Sequence, residues 1–223
     1  MLTKTKGIVF RFTKYGDSSI ITTLFTEHAG LQSYILKGIR KSKSGSGMAL
    51  YQPLTLLDLV VYHKDGATLQ HIREAKCRHI YKRIPGNMLR ETLAFFITEV
   101  MNKSIREQTH PEDLFQFLEH SLILLDSSEE PLQDFHLRFM TGLSRFLGFG
   151  AQHSQEVIGG RVLPNAIQEN LQKLLNGEKI NLSYVHRKEI LELLTGFYRD
   201  HIENFGTLKS VEVLQEILTQ KIQ

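Results

Sequence analysis

The period of the hydrophobic pattern changes once along the chain, and this change limits the possible folds more than any other feature. Up to residue 83, short runs alternate between apolar and polar residues, which is typical of β-strands. After Ile84-Pro85-Gly86, apolar residues recur every three or four positions, which is typical of amphipathic helices. The sequence therefore predicts an α+β protein with two domains, formed by residues 1–83 and 84–223.

Five strand patterns occupy the first domain. They cover residues 7–12, 19–26, 32–36, 54–62 and 68–77. Ile8, Phe10 and Phe12 are expected to share one face of the first strand, because successive side chains alternate. Lys64-Asp65-Gly66 predicts a hairpin between the last two strands, because Asp-Gly adopts positive φ readily. Five short strands in succession predict a small barrel of the OB-fold type.

Helical stripes fill the second domain. The predicted buried positions are Leu89, Leu93, Phe96 and Val100, then Leu114, Leu118, Leu122 and Leu125, then Leu132, Phe135, Phe139, Leu143 and Phe146. A short helix is predicted at 165–176 and a longer one after Ser183. A last helix, capped by Ser210, is predicted to bury Val213, Leu214 and Ile217. Residues 149–164 show no period and are expected to be irregular.

Charge is divided unevenly between the two predicted domains. Residues 1–85 hold 14 of the 27 Lys and Arg but only 5 of the 24 Asp and Glu, a net charge of +9. The remaining residues carry −6, although the whole chain is only +3. Such asymmetry favours a polyanion such as nucleic acid as partner of the basic part. Chance clustering of cations on a solvated surface is the simpler alternative.

The densest basic segment follows the third predicted strand. Lys37, Arg40, Lys41 and Lys43 lie within seven residues and lead into a Gly/Ser stretch. Cations on a mobile loop can neutralise successive phosphates, and the released counterions supply affinity. We therefore predict phosphate contacts at these four residues, with Arg11 and Lys14 as secondary candidates.

Aromatic rings are frequent in the same part of the chain. Phe10, Phe12 and Phe25 are assigned to the barrel core, which a small barrel must fill. Tyr15 and Tyr51 fall in predicted loops, where a ring is better placed to stack on a base. In the helical part, Phe115, Phe117 and Phe139 with Arg138 suggest a groove for an acidic, apolar peptide, although ordinary helix packing explains them more simply.

The sequence lacks the motifs of several catalytic and metal-binding functions. The one cysteine, Cys77, permits no intrachain disulfide and no cysteine-based zinc site, and the ten histidines show no ligand-like spacing. There is no Gly-x-Ser-x-Gly elbow and no nucleotide-binding P-loop. We predict no catalytic residue, no metal and no cofactor. No apolar run approaches the ~18 residues of a membrane span, so we expect a protein of the reducing cytoplasm.

The first third of the chain resembles the RecO family of bacterial DNA-repair proteins. The matching segments are Lys6-Gly7-Ile8-Val9, Tyr15-Gly16-Asp17, Leu24-Phe25-Thr26, the run from Lys37 to Ser44, and Gln52-Pro53-Leu54. The resemblance implies an OB-fold, binding of single- and double-stranded DNA, annealing of complementary strands and a place at the nucleoid. It also implies contacts with RecR and with the acidic tail of single-strand-binding protein, and assistance to RecA loading. Lys37, Arg40, Lys41 and Lys43 fall on the family's basic loop.

One departure from the family pattern concerns zinc. Many members carry two Cys-x-x-Cys pairs after the position of Gly148-Phe149-Gly150, whereas residues 151–164 contain no cysteine. We therefore expect a metal-free segment there. Three other functions stay open: an RNA-binding OB-fold protein, an enzyme whose barrel positions a substrate, and a protein-interaction module.

Overall fold

The chain forms five strands and eight helices in the part that the structure describes. This computed structural model describes residues 1–41, 46–64, 66–106, 111–180 and 182–220. The strands are β1 Leu2–Tyr15, β2 Ser19–Thr26, β3 Gly30–Leu36, β4 Leu56–Tyr62 and β5 Gln70–Cys77. The helices are α1 Ser46–Ala49, α2 Met88–Ser104, α3 Pro111–Ser127, α4 Phe135–Phe146, α5 Ser154–Ile158, α6 Asn165–Leu175, α7 Tyr184–His201 and α8 Ser210–Gln220. Within these ranges no helix combines the length and apolar character that crossing a membrane requires.

The strands close into a barrel in the order β1-β2-β3-β5-β4, with β4 returning to β1. β1 is long enough to pair with both neighbours, with β4 along residues 2–8 and with β2 along residues 7–15. The β3–β5 pair is parallel and the other pairs are antiparallel. The predicted OB-fold is therefore confirmed. Asp65 of the predicted hairpin turn lies outside the described residues.

A β-bulge in β1 overturns the predicted face of Phe12. The register with β2 shifts between Val9 and Arg11, so one extra residue stands in β1. A bulge exchanges the two faces of the strand beyond it. As a result Val9 and Phe12 both pack in the barrel interior. Phe10 instead stacks on Phe25, with 5.9 Å between ring centroids.

The first part of α3 belongs with the barrel. Contacts divide the chain into one compact unit of Met1–Tyr81 with Ile105–Ile123, and a second of Lys82–Ser104 with the described residues from Leu124 onward. In the first unit, Arg78 Nε lies 2.7 Å from Glu119 Oε1 of α3. These units are defined by their contacts, whereas the predicted boundary between residues 83 and 84 refers to independently folding domains. That boundary stays a prediction.

Most predicted stripes in the helices are buried. Leu93, Phe96, Leu118 and Leu122 are fully inaccessible to solvent, and Ser183 caps α7 by accepting from the backbone of His186 at 3.2 Å. Two positions were wrong, since Phe146 is 40% exposed and Val213 is 47% exposed, and Ile217 is only half-buried. Phe146 is the last residue of α4. In α8, Leu214 and Leu218 at a spacing of four make the buried contacts instead of Val213.

A buried carboxylate and a buried guanidinium anchor the start of the second unit. Asp126 accepts hydrogen bonds from the backbone N–H groups of Lys82, Arg83 and Ile84 at 2.8–3.1 Å. Arg90 donates to carbonyl oxygens at the C-terminal end of α3. Each charge thereby satisfies backbone groups that would otherwise be buried without partners.

Side-chain hydrogen bonds hold the segment that lacks the cysteines. This segment contains α5, so the expectation that it is entirely irregular was wrong. Glu156 Oε1 accepts from the backbone N–H groups of Gln152 and His153 at 3.0 and 2.7 Å. Gln172 accepts from Ser154 N at 2.9 Å and donates to Gln152 O at 3.0 Å. Among the described residues, no group of three His, Cys, Asp or Glu could hold a metal ion.

His136 in α4 is a buried polar side chain without hydrogen-bond partners among the described residues. Its side chain is completely buried, and neither ring nitrogen has a hydrogen-bond partner among the described residues. The ring packs edge-on against Phe96, with 5.8 Å between centroids. Burial, together with a smaller effect of the Arg187 charge, lowers the pKa of His136 from 6.5 to about 3. Protonation of the buried ring therefore destabilises the folded state.

We expect His136→Phe to raise the free energy of unfolding by roughly 1–2 kcal/mol at pH 7, because it removes unsatisfied buried nitrogens. The folded pKa lies below the ordinary value, so the unsubstituted protein loses stability as pH falls from 6.5 toward about 3. The advantage of the variant should therefore be larger at pH 5 than at pH 7 in denaturant titrations. The exposed His120→Phe serves as control. An advantage that shrinks on acidification would contradict this account.

Candidate nucleic-acid interface

One end of the barrel is built by the β1–β2 turn and the segment after β3. A 3-10 turn, Ile39–Lys41, follows β3. The backbone N–H of Arg40 donates to Ser18 O at 3.0 Å, and its Nη1 donates to Gly16 O at 3.0 Å. Ile39 packs against the barrel core. These contacts fasten the basic segment to the turn, and we call this end of the barrel the basic rim.

Three predicted cations lie at the basic rim. Lys14 and Leu36 both pair with Ile20, one from each neighbouring strand, and Lys37 directly follows Leu36. Lys14, Lys37 and Arg40 are all exposed. Within the described residues, neither lysine forms an ion pair with a carboxylate. Two strands and the 3-10 turn thus bring separate parts of the sequence to one end of the barrel.

The other three predicted cations are placed less fully. Arg11 is exposed on β1, opposite Thr23 and three residues before Lys14, about 10 Å away along the strand. Only the backbone of Lys41, in the 3-10 turn, is described. Lys43 lies outside the described residues. Whether these residues bind DNA stays a prediction.

The acidic residues near the basic rim are few. Residues 1–41 contain seven Lys and Arg but only Asp17 and Glu27 as acids. Asp17 is exposed in the β1–β2 turn, while Glu27 pairs with Lys6 at 2.8 Å. Residues 1–41 therefore carry a net charge of +5, which favours a phosphate partner.

A shallow depression of about 510 Å³ elsewhere on the barrel does not share this charge. Its lining holds Lys4, Lys6 and Lys76, but also Glu27, Asp58 and Glu74. Equal numbers of cations and anions cancel there. The depression is therefore a poorer candidate for phosphate than the basic rim.

The aromatic candidates differ in their exposure to solvent. Phe10 and Phe25 are buried, as predicted, with 1% and 0% exposure. Tyr51 was wrongly predicted to be available to a ligand, because it is 3% exposed and packs in the barrel core. Burial raises the pKa of Tyr51 to about 12. Tyr15 is 54% exposed and precedes the β1–β2 turn, so it stays a candidate.

The sequence did not predict the structural role of Arg40. Its backbone and guanidinium both bond to the β1–β2 turn, more than twenty residues earlier. No local pattern signals such a contact, because it depends on the pairing of β2 with β3. Arg40 is therefore an anchor of the basic rim as well as a cation on it.

The second compact unit contains a groove of about 1320 Å³. Apolar side chains, including Leu132, Phe135 and Leu182, line it together with Arg138. Arg187 also lines it and pairs with Asp134 at 2.7 Å. The structure therefore confirms that Arg138 lies beside apolar groups. Phe115 and Phe139 of the predicted groove are core residues, with 0% and 3% exposure.

Comparison with known proteins identifies relatives along the whole chain. The family described as "Recombination protein O N terminal" matches residues 1–81, and "Recombination protein O C terminal" matches residues 86–170. The chain is 31% identical to the DNA repair protein RecO of Christiangramia forsetii, over 97% of this chain and 99% of that protein. The proteins of the same name from Bacteroides fragilis and Flavobacterium psychrophilum are 30% and 32% identical, covering 97% and 98% of this chain and 99% and 100% of the relatives.

The basic rim predicts a salt-dependent affinity for single-stranded DNA. Four phosphate contacts correspond to a slope of roughly −3 in a plot of log affinity against log salt concentration. Lys14→Ala with Lys37→Ala should flatten the slope by about 1.4, because each lost contact contributes about 0.7. Fluorescence anisotropy across a salt series measures the slope. Lys173→Ala with Lys188→Ala, at exposed positions of α6 and α7, is the matched control. Equal slopes for all three proteins would refute the assignment.

Proposed function

The chain belongs to the RecO family of DNA repair proteins, and we propose that it is a recombination mediator that binds and anneals single-stranded DNA. The observation that carries this proposal is the basic rim, where Lys14, Lys37 and Arg40 lie at one end of an OB-fold barrel. OB-folds bind single strands through a positive surface that follows the backbone.

Annealing follows from charge neutralisation. Two DNA strands repel each other through their phosphates, and cations near both backbones reduce that repulsion. The contacts go to phosphates, so they do not depend on base sequence. No covalent bond forms or breaks in this step, so we propose no catalytic residue.

The helical unit is the proposed site of protein partners. We assign the tail of single-strand-binding protein to the groove beside Arg138, because an acidic, apolar peptide matches its apolar lining and its excess of cations, three against two acids. Contact with RecR and assistance to RecA loading are part of the same proposal, at the nucleoid in the cytoplasm. These roles rest on family membership.

The annealing test uses cations of the basic segment. We expect Lys37→Glu with Lys41→Glu and Lys43→Glu to slow annealing of complementary oligonucleotides by roughly tenfold or more, since charge steering contributes at least that factor. Quenching of paired fluorophores measures the rate. The matched control is Lys173→Glu with Lys188→Glu and Arg199→Glu, at exposed helical positions.

The same preparation separates the rival functions. Clear preference for RNA over DNA of equal sequence at matched salt would favour an RNA-binding OB-fold protein. Binding of neither nucleic acid at low salt would favour a protein-interaction module. Unchanged annealing in the triple variant of the basic segment would contradict the proposed mechanism.

The partner groove has its own test. Arg138→Glu should weaken binding of a peptide that ends in acidic residues and an apolar carboxyl terminus by about tenfold or more, because a charge-assisted contact contributes about 1.5–3 kcal/mol. Isothermal titration measures the change. Lys173→Glu, outside the groove, should bind the peptide normally. Unchanged peptide affinity of Arg138→Glu would place the site elsewhere.

A further inference from the structure

The outside of the barrel carries a row of side chains that the sequence does not reveal. Cross-strand partners lie side by side on the same face of a sheet. The pairings Thr13–Ile21, Ile21–Ile35, Ile35–His71 and His71–Tyr62 therefore form one row across five strands. We call these five residues, together with Tyr15, the aromatic row.

The alternation of side chains places the aromatic row outside the barrel. Ile20, Tyr34 and Val61 pack in the barrel core, so the residues that follow them, Ile21, Ile35 and Tyr62, point outward. Tyr15 lies two residues beyond Thr13 and shares its face. Both ends of the row are accessible, since Tyr15 is 54% and Tyr62 is 51% exposed.

The length and charge of the row suit a single nucleic-acid strand. Four strand spacings of about 4.8 Å give an arc of about 19 Å, and an OB-fold typically binds about 4–16 nucleotides of a single strand. Arg11 lies two residues before Thr13, and Lys37 lies two residues after Ile35. Both cations are exposed, so phosphates passing along the row would meet positive charge.

We propose that unpaired bases stack on the aromatic row, with Tyr15 and Tyr62 as its two stacking rings. This inference rests on the proposed function and adds strand selection to it. Paired bases in a duplex have no free face for a ring, whereas every unpaired base does. The row therefore selects single strands, while the basic rim attracts the phosphates of either form.

The test compares single-stranded and duplex oligonucleotides of equal length by fluorescence anisotropy. Loss of a stacking ring lowers affinity by about 5- to 150-fold per base, so Tyr15→Ala with Tyr62→Ala should weaken single-strand binding by at least that lower factor. Duplex affinity and the salt slope should stay unchanged, because no cation is lost. Tyr15→Phe with Tyr62→Phe should bind as the unsubstituted protein does. Phe95→Ala, at a 55% exposed ring of α2, is the matched control.

Three results would overturn the inference while leaving the proposed function intact. These are unchanged single-strand affinity in the double alanine variant, equal losses for single-stranded and duplex DNA, and a loss in the double phenylalanine variant as large as in alanine. If the unsubstituted protein bound no DNA at low salt, the proposed function would itself fail, and the inference with it.

Discussion

The barrel depends on one irregular strand. β1 hydrogen-bonds to β4 along its first half and to β2 along its second, which closes the sheet through β1. The bulge between Val9 and Arg11 lies where the strand changes partners. Without the extra residue, Arg11 and Tyr15 would share the interior face of Val9. The bulge therefore directs a cation and a ring to the outside while Phe12 fills the core.

Pairing of β2 with both neighbours then assembles the basic rim. Lys14 and Leu36, the residue before Lys37, are distant in sequence, yet both pair with Ile20 of β2. Such closeness of like charges opposes folding modestly, and a bound phosphate backbone would remove that repulsion. Arg40 offsets part of it by donating to Gly16 O, so the surface that is proposed to bind DNA also holds its own turn in place.

The two compact units offer surfaces of different chemistry. The barrel surface combines exposed cations with exposed rings, which suits a flexible polyanion with flat bases. The groove beside Arg138 combines apolar side chains with three cations and two acids, which suits an acidic, apolar peptide. Asp126 and Arg90 secure the beginning of the helical unit through backbone groups, independently of either surface. Hydrogen bonds to charged groups typically contribute about 1.5–3 kcal/mol each.

The sequence by itself determined the fold class, the five strands, most helical stripes and the basic segment. These features follow from local rules, since side-chain period, caps and turn residues act within a few positions. Only the tertiary structure decided the outward face of Arg11, the burial of Tyr51, the second role of Arg40 and the alignment of Tyr62 with Ile35. Each of these depends on register between strands that are distant in sequence. A single bulge exchanges the faces of all residues of the strand beyond it. No local sequence pattern in β1 predicts the position of that extra residue.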